Sequence, residues 1–169
     1  MILLYGESAS GKDTFVKSAG LDQVVSHTTR KRRVGEADGV DKHFDVLANY
    51  LLAKEDDAVI AETNIQGNQY WVTTKDLQDK DVFIVDPSGI LYLMDRYGND
   101  FVNTFSVLYL NVPWFVRLKR IVGRDGFKVG IRRFWSDRIT FSRQKKRDIK
   151  RKLKSMMMQH WEIRNGNLR

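Results

Sequence analysis

The chain has 169 residues, a mass of 19.7 kDa, 42% hydrophobic and 30% charged residues, and a net charge of +8. That is enough for one sizeable core, and too apolar for a disordered or fibrous protein. The lack of cysteine excludes a disulfide framework, a thiol nucleophile and a cysteine-ligated metal. No apolar run approaches the roughly 18 residues of a membrane span. No basic n-region or small-residue cleavage site marks a signal peptide, so a soluble cytoplasmic protein is expected. The charge is segregated. Residues 1–116 carry 11 basic and 17 acidic side chains, whereas residues 117–169 carry 18 basic and 4 acidic ones. A weakly acidic body thus precedes a strongly basic last third.

Ile2 to Tyr5 is an apolar run stopped by Gly6 and reads as a buried strand. Gly6 to Gly11 is a small, polar loop, and Lys12 to Ala19 a short helix with Phe15 and Val16 toward the core. Val24 to Ser26 reads as a second strand. His27 to Phe44 is polar, charged and punctuated by glycine, a long loop of the kind that carries function. Leu47 to Lys54 is a short helix, and Ala58 to Ile65 and Gln69 to Thr73 flank the Gly67-Asn68 signature of a hairpin. Val82 to Val85 is a strand ending at Asp86, Gly89 to Tyr97 a helix, Val107 to Asn111 a strand and Trp114 to Arg124 a helix. Asp125 to Gly130 reads as a glycine-bearing loop, and Ile131 to the mid-160s as mostly helical. Strands alternating with helices predict an α/β fold with a parallel sheet covered on both faces.

Gly6-Glu7-Ser8-Ala9-Ser10-Gly11-Lys12 matches G-x-x-x-x-G-K directly after a strand and at the start of a helix. Glycines let the backbone fold into a nest of N–H donors around phosphate oxygens, the helix points its positive end at the same anion, and Lys12 reaches the β/γ-phosphates. A Ser or Thr normally follows the lysine and binds Mg²⁺. Here Asp13 and then Thr14 stand there. Asp13 can ligate Mg²⁺ directly or through water, and Thr14 can supply the hydroxyl instead.

Arg30 and Arg33 are two guanidinium forks three residues apart in a loop with little apolar content. A pair of such forks reads as a phosphate clamp, beside the blander reading of a solvated basic loop. Over Ser26 to Phe44 the chain resembles the guanylate kinase family, whose pattern S-x-T-T-R-x-x-R-x-G-E-x-x-G-x-x-Y-x-F is matched with one loss. The resemblance includes the phosphate loop, Glu62, the Gly67 to Tyr70 turn, Val85 to Gly89 and the Arg120 to Arg133 stretch, and it fades past residue 140.

It implies a P-loop NTPase three-layer fold, a central parallel sheet flanked by helices with a small strand-containing insertion that binds the nucleoside monophosphate, and a short lid. One domain over 1–169 follows. Its core is 1–26 and 80–124 plus C-terminal helices 132–169, its monophosphate-binding region 27–79 and its lid 125–131. By the same resemblance, Gly6 to Thr14 and Arg120 hold ATP, Arg30, Arg33, Lys42 and Tyr70 hold the acceptor phosphate, and Ser26, Glu62 and Asp86 read guanine. Lys12, Arg30, Arg33, Arg124 and Arg133 would be the catalytic cations, with Mg²⁺ as cofactor held through Asp13 or Thr14. A carboxylate suits guanine because N1–H and N2–H₂ are adjacent donors, whereas adenine would leave Glu62 unpaired. Taken alone, Glu62 reads as a strand-end carboxylate and Asp86 as a helix cap.

The pattern is broken in three places. Lys42 replaces the phosphate-contacting tyrosine, Trp71 and Val72 replace a Gly and a hydroxyl residue, and Ile84 replaces one acid of the third strand. Arg117, Arg132 and Arg138 read as surface charges. The family's closing strand is not legible. Instead Ile149, Leu153, Met156, Met157 and Trp161 recur at helical spacing, beneath eight basic residues between Arg143 and Lys154.

The expected activity is transfer of the ATP γ-phosphoryl to GMP or dGMP, by a monomer or a homodimer with no membrane partner. The alternatives are a broader (d)NMP kinase, a non-catalytic binding module that holds phosphorylated peptides, and a nucleic-acid binder using Arg143 to Lys154.

Overall fold

The structure is a computed structural model that describes residues 1–65, 67–156, 160–164 and 167–168. The chain divides into two units: residues Met1–Leu21 with Val82–Arg169, and residues Asp22–Asp81 between them in sequence.

In the first unit, β1 (Ile2–Tyr5) is central. It pairs in parallel with β6 (Val82–Ile84) on one side and β7 (Ser106–Asn111) on the other. A strand buried between two neighbours and under both faces needs a continuous apolar run, which is what Ile2 to Tyr5 is. Leu4, Leu108 and Leu110 face α1 (Lys12–Ser18) through Val16 and Phe15. On the other face Tyr5 and Tyr109 stack at 4.7 Å. Lys146 of α7 (Arg143–Ser155) donates to the Tyr109 hydroxyl there at 2.7 Å. α3 (Pro87–Tyr97) packs on α7, and its Ile90, Leu93 and Met94 are buried. A short α4 (Phe101–Thr104) leads into β7.

The closing strand exists. β8 (His160–Arg164) pairs in parallel with β7, and β9 (Asn167–Leu168) turns back on it. The sheet order is therefore β6-β1-β7-β8-β9. The predicted helical stripe fails at its far end: α7 stops at Ser155, Trp161 lies on β8, and Met157 lies outside the described residues. β8 is hard to read because its centre is the charged Glu162, which accepts from Asn111 Nδ2 at 2.6 Å and faces Lys150 at 4.0 Å. Only tertiary partners make that position tolerable inside a sheet.

The predicted loop over Asp125 to Gly130 is a helical corner instead. α5 (Trp114–Asp125) ends at Gly126, whose φ of 77° a side chain would resist, and α6 (Phe127–Thr140) starts at once. Gly130 lies on α6 where a Cβ would come within 3.1 Å of Val122 Cα. The two glycines thus turn the chain and let two helices touch. The expected run of helix from Ile131 is likewise broken at Ser142, whose hydroxyl accepts from Lys145 N–H at the start of α7.

In the second unit, β4 (Val59–Ile65) and β5 (Asn68–Thr73) form the expected hairpin. β2 (His27–Thr28) pairs with β5 and with β3 (His43–Phe44), giving the order β3-β2-β5-β4. The predicted strand at Val24 to Ser26 is thus displaced to His27–Thr28, where β3 and β5 offer hydrogen-bonding partners. α2 (Leu47–Glu55) covers the sheet through Tyr50, which packs with Val59 and Trp71.

Candidate functional site

The candidate residues fall into two groups, one in each unit. In the first unit the strand-to-helix loop is built for close approach. A Cβ on Gly6 would stand 2.8 Å from the Leu110 carbonyl oxygen, and Gly11 has φ 88°. Ala9 is also left-handed, with φ 58°. Lys12 Nζ folds back over the loop, donating to Gly6 O at 2.7 Å and to Glu7 O at 3.3 Å. Burial holds its ammonium below the ordinary lysine range. Ser10 Oγ is buried and has no hydrogen-bond partner among the described residues. An anion's oxygen would satisfy both groups.

Arg120 of α5 reaches the same loop, its Nη1 donating to Ala9 O at 3.2 Å. Asp125 draws together the two other expected arginines: Arg124 donates to it at 2.8 and 3.0 Å, and Arg133 at 3.1 Å. Asp13 and Thr14 are exposed on the first turn of α1, so their oxygens can face a hard cation such as Mg²⁺. Asp86 caps α3, accepting from Gly89 N–H at 2.9 Å, as its plainer reading anticipates.

The loop side chains have tasks that the sequence did not reveal. Glu7 is only 8% exposed and accepts from the Tyr109 hydroxyl at 2.9 Å and from Lys146 Nζ at 2.5 Å. Burial pushes its carboxyl up, but the Lys146 ammonium, a backbone hydrogen bond and Arg117 together leave it below the usual carboxylate range. What Glu7 offers a ligand is therefore its backbone. Ser8 gives both its N–H and its hydroxyl to Asp137, at 2.8 and 2.9 Å. Asp137 is 9% exposed and stands 3.6 Å from Arg117, which is 8% exposed. Arg117 is thus no surface charge: its Nε donates to Val112 O at 3.2 Å and its guanidinium lies over Phe134, 5.6 Å from the ring centre. No spacing rule links residue 8 to residue 137. The basic run on α7 is also partly internal, with Lys145 on Ser88 at 2.8 Å, whereas Lys152 meets Asp95 at 2.5 Å on the surface.

In the second unit, Arg30 and Arg33 meet through Glu36. Arg30 Nη2 donates to both Glu36 oxygens at 2.9 and 3.0 Å, and the Arg33 N–H donates to Oε2 at 2.8 Å. Burial pushes the Glu36 carboxyl up, but these donors hold it below the usual range, and the loop is pinned around an anion of its own. Arg30 also lies over the Phe44 ring, 5.5 Å from its centre. Lys42 Nζ donates to Ser26 Oγ at 2.8 Å. Tyr70 is half-buried on β5, paired with Thr28 on β2 and Thr63 on β4.

Glu62 on β4 accepts from the Tyr50 hydroxyl at 2.5 Å and from Lys54 Nζ at 2.9 Å. Burial pushes its carboxyl up, while Tyr50 and Lys54 together bring it below the usual range. It is an ionised acceptor, and α2, which carries both donors, was not singled out in the sequence. Trp71 does not intrude on that position. It is 2% exposed, tilted on Tyr50 at 5.3 Å and stacked on His27 at 5.1 Å, so the large ring belongs to the unit's core.

No helix among the described residues is long and apolar enough to cross a membrane. No protein-family model matches the chain. Guanylate kinase from Acinetobacter baylyi is 37% identical over 75 residues, 41% of this chain and 36% of the relative. Guanylate kinase from Mesorhizobium japonicum is 28% identical over 131 residues, 71% of this chain and 60% of the relative. The chain spans about half the length of the curated relatives it matches. In three dimensions it is similar to the crystal structure of guanylate kinase from Anaplasma phagocytophilum, with a TM-score of 0.64, 17% identity and coverage of 99% of this chain and 77% of that one. The solved guanylate kinase shares the P-loop α/β fold of this chain, and the sequence relatives that match part of it are guanylate kinases.

Proposed function

We propose that the chain is a nucleoside monophosphate kinase that transfers the γ-phosphoryl of ATP to GMP or dGMP in a direct in-line step. The observation that carries this reading is that one chain holds both a phosphate loop with Lys12 and Arg120 over it and an Arg30–Arg33 clamp beside an ionised Glu62. In this reading the loop amides, Ser10 and Lys12 hold the donor phosphates. Lys12 exchanges its two carbonyl partners for phosphate oxygens. Arg124 and Arg133 leave or share Asp125 to meet the transferring group, where positioned cations do most of the catalytic work. Mg²⁺, held through Asp13 or Thr14, would supply charge neutralisation between the donor phosphates.

Arg30, Arg33 and Tyr70 hold the acceptor phosphate. Glu62 takes the guanine N1–H and N2–H₂ donors, displacing Lys54, whose exposed ammonium can return to water. Ser26, in the same unit, adds a base contact. The domain roles follow as proposed from sequence: a donor core, a monophosphate-binding insertion and a lid, now helical, over residues 125–131. α7 serves the core through Lys145 and Lys146 rather than a nucleic acid.

The test is ADP release from ATP–Mg²⁺ with GMP, dGMP, AMP, dTMP and CMP offered separately. Turnover confined to GMP and dGMP, and lost in Glu62→Gln with little change in ATP affinity, is expected. Absence of turnover with every acceptor in folded protein refutes the kinase reading. A second reading, a broader (d)NMP kinase, is favoured by Lys42: its ammonium occupies Ser26 Oγ, a hydroxyl assigned to the base. Turnover with AMP, dTMP or CMP selects it.

A further inference from the structure

We propose that residues His27, His43 and Asp76 form a transition-metal site of the zinc class, which ties together the two ends of the loop carrying Arg30 and Arg33. One ligand atom from each of the three lies within 4.8 Å of the other two. β2 and β3 set His27 and His43 opposite each other in register, and their rings stack at 4.7 Å. Asp76 comes from the turn after β5. Its Oδ2 is fixed by the Thr73 N–H at 2.7 Å and the Thr73 hydroxyl at 2.8 Å.

His27 Nε2 stands 3.3 Å from Asp76 Oδ2. Ligands bound about 2.0–2.1 Å from a tetrahedral zinc are about 3.3–3.4 Å from one another, so this edge already has the required spacing. The third corner is His43, whose ligand nitrogen lies within 4.8 Å of the other two ligand atoms. The far nitrogen of His27 is equally well arranged. Nδ1 lies 3.0 Å from Asp45 Oδ2, and the other oxygen of Asp45 takes the Val46 N–H and the Asn49 amide. A carboxylate on the remote ring nitrogen is the outer-shell partner that orients a metal-bound histidine and raises its basicity. With the Nδ1 proton directed at Asp45, the Nε2 lone pair faces the Asp76 carboxylate, and a cation belongs between them.

That cation is either a metal or a proton. A proton would make His27 an imidazolium between two carboxylates and leave His43 without a role in the cluster. A metal uses all three groups. Two imidazoles and one carboxylate suit Zn²⁺, Co²⁺ or Ni²⁺, whereas Mg²⁺ prefers an all-oxygen shell. Three protein ligands leave the fourth position to water. His27 and His43 bracket the chain from Thr28 to Lys42, which contains Arg30, Arg33 and Glu36. Bridging its ends restricts that loop without touching the arginines.

The test is calorimetric titration of Zn²⁺ into the chelator-stripped full chain without nucleotide, alongside His43→Ala, Asp45→Asn and a Mg²⁺ control. One saturable equivalent of Zn²⁺ is expected in the unsubstituted chain. Affinity should fall at least about 10-fold in His43→Ala and about 10-fold in Asp45→Asn. Because a variant can fail to fold, Co²⁺ absorption in the unsubstituted chain is the second readout, with the visible bands of a tetrahedral nitrogen–oxygen site expected. Absence of saturable Zn²⁺ uptake, uptake that His43→Ala leaves unchanged, or the spectrum of hydrated Co²⁺ overturns the proposal. In the first case His27 is a protonated clamp between Asp45 and Asp76.

Discussion

Asp137→Ala is the substitution that most directly tests how the phosphate loop is supported. It removes the acceptor of two Ser8 hydrogen bonds, at 2.8 and 2.9 Å, and the countercharge 3.6 Å from the buried Arg117. Hydrogen bonds to a charged acceptor contribute about 1.5–3 kcal/mol each. Removing one partner of a buried ion pair costs about 3–5 kcal/mol. These contributions belong to one carboxylate and overlap. The pair is also loose, and Arg117 keeps Val112 O and the Phe134 face. The low end follows, a loss of about 3 kcal/mol. Arg117→Met leaves Asp137 its two Ser8 donors and should cost less, about 1–2 kcal/mol. Urea denaturation of both single variants and the double variant, at unchanged m, measures these values. The double-mutant cycle should return a coupling of about 1 kcal/mol or more. A loss under about 1 kcal/mol for Asp137→Ala, or strictly additive single effects, refutes the view that α6 supports the loop through this carboxylate.

Three further outcomes are expected. Lys12→Met should leave the free protein about as stable but abolish its stabilisation by ATP–Mg²⁺, which reaches about 2.7 kcal/mol at a hundredfold excess over Kd and is read by thermal denaturation. Gly6→Ala should destabilise by about 1–3 kcal/mol, because its Cβ would press on the Leu110 carbonyl, which the sheet holds in place; a denaturation midpoint equal to that of the unsubstituted chain would show that the loop yields instead. The Glu7 carboxyl is held below its ordinary value, so its contribution to stability is fully present above about pH 4.3 and is lost as pH falls through the lower folded value. Stability measured across that acid range should fall less steeply in Glu7→Gln than in the unsubstituted chain.

Much of the molecule is legible in local sequence. Ile2 to Tyr5 can only be a buried strand, the Gly6 to Lys12 loop must bend where glycine permits it, and Gly67-Asn68 turns a hairpin between two β-prone runs. The Arg30 and Arg33 pair was likewise visible, because both residues lie within one loop, whereas the Glu36 carboxylate that joins them emerged only in the structure. These features depend on neighbours a few residues apart. The readings that failed depend on partners far along the chain. β8 needs Asn111 and Lys150 to hold Glu162 within a sheet. The Asp125 to Gly130 segment needs Val122 beneath Gly130 to become a helix corner rather than a loop.

The same division holds for function. The sequence by itself offered candidate groups, a glycine-rich loop with its lysine and a pair of guanidinium forks, and the family resemblance added a carboxylate proposed to meet guanine donors. Only the tertiary structure decided the state of those groups. It turned Glu7 away onto Tyr109 and Lys146, tied Ser8 to Asp137, held the Glu62 carboxyl below its ordinary range with Tyr50 and Lys54, and buried Trp71 in a core. Burial and charge pairing are properties of groups brought together in space, and periodicity along the chain does not carry them.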